Sequence, residues 1–265
     1  MCRFINPVEK MNIEHISVSR EGTWKECKLR YKYKYHLRIP EDGEAFHFTY
    51  GKVMHKIAEE YVGNKGDKTI SEIAVDVLRG NIPIERGLTD VFAPPLPRSY
   101  QERMPGHLRS LKTITEQIGM DGELEHHFNY DLEPPNKKYI KGFIDRIVQR
   151  KDEWFVLDYK TTKKGKWRKD NNSILHDLQL RMYARVIQKE FNVPADKIRC
   201  ALYYLEGGEL IAAKYSQEAI EEAEQHLLNV YNDITNAPAE TAQGTVGDHC
   251  FFCPYKRRCP AYNAI

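Results

Sequence analysis

The stretch Lys141-Gly142-Phe143-Ile144-Asp145-Arg146-Ile147-Val148-Gln149-Arg150-Lys151-Asp152-Glu153-Trp154-Phe155-Val156-Leu157-Asp158-Tyr159-Lys160 decides how this chain is read. Apolar residues flank the charged run Arg150-Lys151-Asp152-Glu153 on both sides, which predicts two strands joined as a hairpin. Asp145 and Asp158 then can face one metal. Side chains alternate along a strand, so Asp158 and Lys160 project together while Tyr159 points away, leaving the Tyr159 carbonyl as a further ligand. Two carboxylates and an ammonium suit phosphodiester hydrolysis, which needs a hard cation on oxygen ligands to activate water and offset charge at phosphorus. By itself a D-x-K pattern is more often an exposed hairpin with ordinary surface charges, so other residues must decide.

Those residues follow in order along the chain. Residues 51–61 read as a helix with Gly51, His55 and Glu59 on one face, where a neutral imidazole can complete a metal site. Taken alone, a helical histidine is usually structural. Glu125 opens a strand upstream of Asp145 and is placed to orient the attacking water, or equally to be a solvent-facing acid. Gln179 and Tyr183 stack on one face of a helix expected over residues 173–191, where they can hold DNA or the catalytic lysine.

The ordered set Gly51 with His55, Glu125, Gly142 with Asp145, Asp158-Tyr159-Lys160, and Gln179 with Tyr183 resembles the RecB-like branch of the PD-(D/E)XK nuclease superfamily. The likeness runs from about residue 17 to the C-terminus. It implies an α/β fold with a restriction-endonuclease-like mixed β-sheet core flanked by helices. It also implies His55, Asp145, Asp158 and the Tyr159 carbonyl as ligands of magnesium or manganese, with Lys160 as the catalytic cation.

A second constellation is Cys250-Phe251-Phe252-Cys253-Pro254-Tyr255-Lys256-Arg257-Arg258-Cys259-Pro260, three thiols in a chain of six cysteines. Thiolates so close can wrap zinc or an iron–sulfur cluster, and a proline after the last cysteine is a ferredoxin-type feature. The fourth ligand is Cys2, Cys27 or Cys200, with Cys27 favoured by its place in the helical segment 24–31. The chain resembles the subgroup of CRISPR-adaptation exonucleases and AddB-type nuclease domains, in which one cysteine precedes the histidine motif and three follow the core. That resemblance implies a 4Fe-4S cluster on Cys27, Cys250, Cys253 and Cys259, acting as a staple between the N- and C-terminal regions. A zinc knuckle is the alternative, because thiols alone do not distinguish the metals.

Length allows one elaborated domain, residues 1–265. Within it we expect N-terminal helices over 12–62, a helical insertion over 63–121, the nuclease core over 122–215, and a C-terminal helix with the cysteine run over 216–265. The insertion is expected either to cap the active site or to pack. Strands are expected near 122–132, 139–150, 153–160, 197–206 and 209–215, the last two joined at Gly207-Gly208. No apolar run approaches the roughly eighteen residues of a membrane span, no secretory pattern opens the chain, and no G-x-x-x-x-G-K-S/T sequence implies ATP. The expectation is a cytoplasmic protein without a membrane partner.

Net charge is only +2, so affinity for nucleic acid must come from local patches. One spans Trp24 to Arg38, where Tyr31 lies among lysines and arginines. The other follows Lys160 and holds Lys163, Lys164, Lys166, Trp167 and Lys169. Cations beside exposed aromatics predict a single-stranded DNA track, whereas a solvated helix and a flexible loop are the plain alternatives. The resulting expectation is a metal-dependent DNA exonuclease, in recombination, repair or phage- or CRISPR-linked processing, with a helicase or recombination partner compatible with the missing motor. An alternative from another class is a cluster-bearing DNA-binding or adaptor protein with little turnover.

Overall fold

A computed structural model describes residues 9–42, 46–84, 95–165 and 167–264. Five strands form one sheet in the order β1-β2-β3-β4-β5: β1 Glu123–Asp131, β2 Tyr139–Arg150, β3 Glu153–Lys160, β4 Ile198–Tyr204 and β5 Glu209–Ala213. The pair β2–β3 is antiparallel, β3–β4 parallel and β4–β5 antiparallel, so the sheet is mixed as expected. β3 and β4 lie between other strands, and their buried runs Val156-Leu157 and Cys200-Ala201-Leu202-Tyr203-Tyr204 show the apolar content such strands need. The β2–β3 hairpin turns through Lys151 at φ 54°. The β4–β5 turn places Gly207 and Gly208 at φ 88° and 63°, where two consecutive left-handed residues match the twist of a tight hairpin.

The helices are α1 Val18–Glu26, α2 Lys28–Tyr31, α3 Phe46–Gly63, α4 Ile70–Leu78, α5 Arg98–Ile118, α6 Leu178–Phe191, α7 Gln217–Asn236 and α8 Pro260–Asn263. Residue proximity divides the chain into two compact units. One comprises Phe46–His127 and Phe143–Glu221; the other comprises Met1–Ala45, Phe128–Gly142 and Glu222–Ile265.

In the first unit, α3, α4 and α5 bury Val53, Ile57, Ile73, Val77, Leu111 and Ile114 in one core with Leu157 and Tyr203 of the sheet. Burial of an aliphatic side chain contributes about 1.5–3 kcal/mol, so the described part of the insertion is packed structure, not a loose cap. A capping box between Thr69 and Glu72 starts α4. The helix expected over 173–191 is two elements. A 3-10 turn, Ser173–His176, stops at Asp177, whose backbone is extended and whose side-chain Oδ1 accepts the Leu180 N–H (2.9 Å), restarting the chain as α6.

In the second unit, the helical segment expected over 24–31 breaks at Cys27. Ser17 caps α1, Cys27 is extended at φ −159°, and α2 leads into a π-helical turn, Lys32–His36. Gly142 has a steric reason: a Cβ there would meet the Phe128 ring at 2.4 Å. Among the described residues no helix is long and apolar enough to cross a membrane.

Candidate active site

β2 and β3 deliver Asp145 and Asp158 from neighbouring strands, and both are buried, Asp158 to 2% exposure. His55 reaches the same place from α3, with Nδ1 3.2 Å from Asp145 Oδ1. The other Asp145 oxygen accepts the Tyr159 N–H at 2.8 Å, so the backbone of β3 fixes this carboxylate. Lys160, 31% exposed at its side chain, brings Nζ to 2.5 Å from Asp158 Oδ2. Its ammonium also donates to Gln179 Oε1 at 3.3 Å; Gln179 Nε2 donates to Tyr183 OH (2.5 Å), and that hydroxyl donates to the Phe143 carbonyl (2.6 Å). Gln179 and Tyr183 therefore form an arm from α6 that holds the lysine.

The charges answer to one another. Burial alone would pull the His55 imidazole down, but Asp145 outweighs it and the pKa is raised. Burial would push Asp145 up, but His55 and Lys160 outweigh it and hold the carboxyl below its ordinary value. Asp158 goes the other way, pushed up to about 6 by burial and by the Asp145 charge, with Lys160 only partly compensating. Burial would lower Lys160, yet Asp158 keeps it raised and charged. Two buried carboxylates pushed in opposite directions beside a cation match the pattern by which functional centres set an acid and a base apart.

Glu125 joins the ligand candidates directly. One donor atom each of His55, Glu125 and Asp145 lies within 4.8 Å of the others, an N/O set that fits a magnesium- or manganese-type cation. The expected role of Glu125 was to orient water; the structure places it within ligand reach. Its backbone stands at φ +50° inside β1, a left-handed value that a strand residue adopts only when its surroundings impose it. Tyr159 engages the site through its main chain while its ring is buried.

A cavity opens over these groups, lined also by Lys52, Lys56, Glu59, Thr161 and Thr162. The sequence reading did not single out Lys52, Thr161 or Thr162. Lys52 stands three residues before His55, and the two threonines directly follow Lys160, so adjacency was the available signal. Gly51 faces Thr161, whose Oγ1 would lie 3.9 Å from an added Cβ.

Cys27, Cys250, Cys253 and Cys259 line one cavity in the other unit, with Arg30, Tyr33, Tyr255 and Lys256 around them. All four are free thiols. Burial raises the Cys253 thiol, and the neighbouring Cys27 and Cys250 add to this. Gly244 packs against Cys259, whose Sγ would sit 3.3 Å from a Cβ at that position. The break at Cys27 thus turns its thiol among those of the C-terminal run, a convergence that fits a thiolate-held metal centre. Cys200 lies buried in β4 with its thiol pushed up by burial; Cys2 is outside the described residues.

The nucleic-acid candidates divide. Tyr31 is fully buried, edge-on to Trp24 with centroids 5.2 Å apart and 4.9 Å from Tyr35, so the expectation that it stacks on a base is corrected. Packing between helical turns consumes its face. In the loop after Lys160, Lys163 and Lys164 are exposed and Trp167 is 71% exposed. Lys169 is tied to the buried Asp177 at 2.7 Å, and Arg168 to Glu209 at 2.9 Å, so these two anchor the loop. Lys166 lies outside the described residues.

The family model described as the PD-(D/E)XK nuclease superfamily matches residues 15–260, and the chain belongs to that superfamily. It is thereby placed among hydrolytic nucleases that act on DNA with divalent metals. No curated protein matches the chain. Among solved structures, a protein designated SSO0001 is similar over 96% of this chain and 89% of its own, at 14% identity and TM-score 0.45. A "Putative exonuclease" of Eubacterium rectale is similar over 84% of this chain and 82% of its own, at 13% identity and TM-score 0.47.

Proposed function

We propose that the chain is a magnesium- or manganese-dependent DNA exonuclease acting on single strands, in recombination, repair or phage- or CRISPR-linked processing. Its centre is Asp145, Asp158 and Lys160, with His55, Glu125 and the Tyr159 carbonyl completing the ligand set. The observation that carries this reading is the meeting of two buried carboxylates of split acidity with a charged lysine in one cavity. A divalent cation bound there supplies Lewis-acid activation of water and charge neutralisation at the phosphate. Asp145, fixed by the Tyr159 N–H and by His55, presents its oxygens in one orientation. Lys160, steadied by Gln179 and Tyr183, directs its ammonium at the charge that develops on the phosphate oxygens, a placement that stabilises the transition state. Trp167, Lys163 and Lys164 offer a stacking face and cations to an unpaired strand.

In the same reading Cys27, Cys250, Cys253 and Cys259 hold a structural 4Fe-4S cluster, supported by their common cavity and by the soft donor set. The deciding experiment uses labelled single- and double-stranded DNA, blocked at either end, with Mg²⁺ or Mn²⁺. Release of mononucleotides from a free end of single strands is expected. Cutting of circular DNA, or of strands blocked at both ends, at the same rate would reject the exonuclease reading, and no cleavage of any substrate with either metal would reject nuclease action.

A further inference from the structure

Behind the β3 terminus lies a polar chain, buried at Tyr50 and His107 and reaching partly exposed Glu206, that the site as described does not use. Tyr50 of α3, directly before Gly51, places its hydroxyl 2.8 Å from His107 Nδ1. His107, on α5, is 2% exposed and sets Nε2 3.2 Å from Glu206 Oε2. The same carboxylate oxygen accepts Arg103 Nε–H at 3.0 Å, and Arg103 Nη2 donates to the Thr161 carbonyl at 2.8 Å. Burial holds the His107 pKa down, despite Glu206, so the imidazole is neutral. Tyr50 keeps its proton because burial raises its pKa. One arrangement satisfies every partner: the Tyr50 hydroxyl donates to Nδ1, and Nε2–H donates to Glu206.

Arg103 is where this chain meets the catalytic strand. The guanidinium fork spans two directions at fixed separation, one towards Glu206 beyond the end of β4 and one towards the residue after Lys160. The Lys160 carbonyl itself accepts the Leu205 N–H at 2.9 Å. Successive carbonyls, of Lys160 and Thr161, are thus held by β4's continuation and by α5. The lysine leaves the sheet at this point, and Thr161 and Thr162 go on to line the cavity. A relay whose Tyr50 and His107 are buried, and which reaches a single main-chain carbonyl through Arg103, is more than surface pairing requires.

We propose that Arg103, oriented by Glu206, His107 and Tyr50, is a positioning residue that fixes the Lys160–Thr162 segment against the reacting phosphate. This rests on the nuclease reading given above. The clamp touches neither Asp145, Asp158 nor His55, so its loss affects placement of the lysine and threonines without removing a metal ligand. Misplacement of a catalytic group by about 1 Å lowers the rate by about a hundredfold.

The test measures cleavage, Mn²⁺ binding and amide hydrogen exchange on full-length wild type, Arg103→Ala, Glu206→Ala and Glu206→Gln. Glutamine retains an oxygen able to accept from both Arg103 and His107, whereas alanine does not. Expected for Arg103→Ala and Glu206→Ala is a fall in kcat of about 10–100-fold, with KM and Mn²⁺ affinity within about threefold of wild type. Faster exchange in the peptide covering residues 160–163 should accompany it, and Glu206→Gln should recover most of the rate. An Arg103→Ala enzyme with wild-type kcat, a rate loss matched by equal loss of Mn²⁺ affinity, or a Glu206→Gln variant as slow as Glu206→Ala each overturns the proposal. A wild type that does not cleave overturns the nuclease reading itself and removes the clamp's role with it.

Discussion

Replacing Asp158 by asparagine should move activity and stability in opposite directions. Asp158 is 2% exposed and its carboxyl is pushed up to about 6 from an ordinary 3.8. Because the native state binds this proton more tightly than the unfolded chain, the group's contribution to stability is full below about pH 4 and is lost as pH rises through about 6. A difference of about two pKa units corresponds to roughly 3 kcal/mol. At pH 7.5 the metal-free protein carries that penalty, whereas asparagine, the neutral isostere, does not. Asp158→Asn in EDTA should therefore gain up to roughly 3 kcal/mol, a rise in Tm of about 6–10 °C for a chain of this size. Cleavage should fall by about a hundredfold or more, and Mn²⁺ should no longer raise Tm as it does in wild type. Calorimetry in EDTA and in Mn²⁺, paired with cleavage rates, reads all three quantities. A variant that melts below wild type in EDTA while cleaving at a similar rate would refute the reasoning, since Asp158 would then be an ordinary structural carboxylate.

Lys160→Ala should reduce kcat by about 10²–10³-fold while leaving Mn²⁺ affinity equal or tighter, because an ammonium beside Asp158 is removed; calorimetric titration and single-turnover rates check this. Mn²⁺ must displace the Asp158 proton and the proton carried by His55, so its apparent affinity should rise by more than about tenfold per pH unit below pH 6, keep rising above it, and flatten only once His55, held above its ordinary 6.5, has lost its proton; a flat profile counts against both ligands. Protein prepared without oxygen should be brown with about four irons per chain, Cys27→Ala should bleach it, and Cys200→Ala should not; one zinc in a colourless protein would favour the knuckle. Trp167→Ala should weaken single-strand binding by about 1–3 kcal/mol with the salt slope unchanged, whereas Lys163→Gln with Lys164→Gln should flatten that slope; titrations across a salt series separate the two.

The hairpin that carries both aspartates was legible because its period and its charged turn are local: the expected strands 139–150 and 153–160 are the observed β2 and β3. The helical character of the stretch 63–121 was legible for the same reason, its longest helix, α5, having Pro97 before it and Gly119 after it. What failed to show depended on distant partners. Lysines and tyrosines alternating through residues 24–38 have one appearance whether the rings meet DNA or one another, and only packing of Tyr31 between Trp24 and Tyr35 decides. The extended break at Cys27 and the left-handed backbone of Glu125 are not encoded by glycine or proline, so no punctuation announced them. The Tyr50–His107–Glu206–Arg103 relay joins α3, α5 and the segment after β4, and no spacing rule reaches across them.

The division into units also bears on the order in which the molecule can be made. Every residue of the unit that holds Asp145, Asp158 and Lys160 has left the ribosome once Glu221 is free, apart from the length of the exit path. The other unit draws on three separated segments and lacks three of its five cysteines until Cys250, Cys253 and Cys259 are synthesised. Contacts of such long sequence separation form late and slowly. Vectorial synthesis therefore favours a carboxylate centre that assembles first and a thiol centre that closes last, so a released chain ending between residues 221 and 249 should already bind Mn²⁺ while Cys27 still reacts with a thiol reagent.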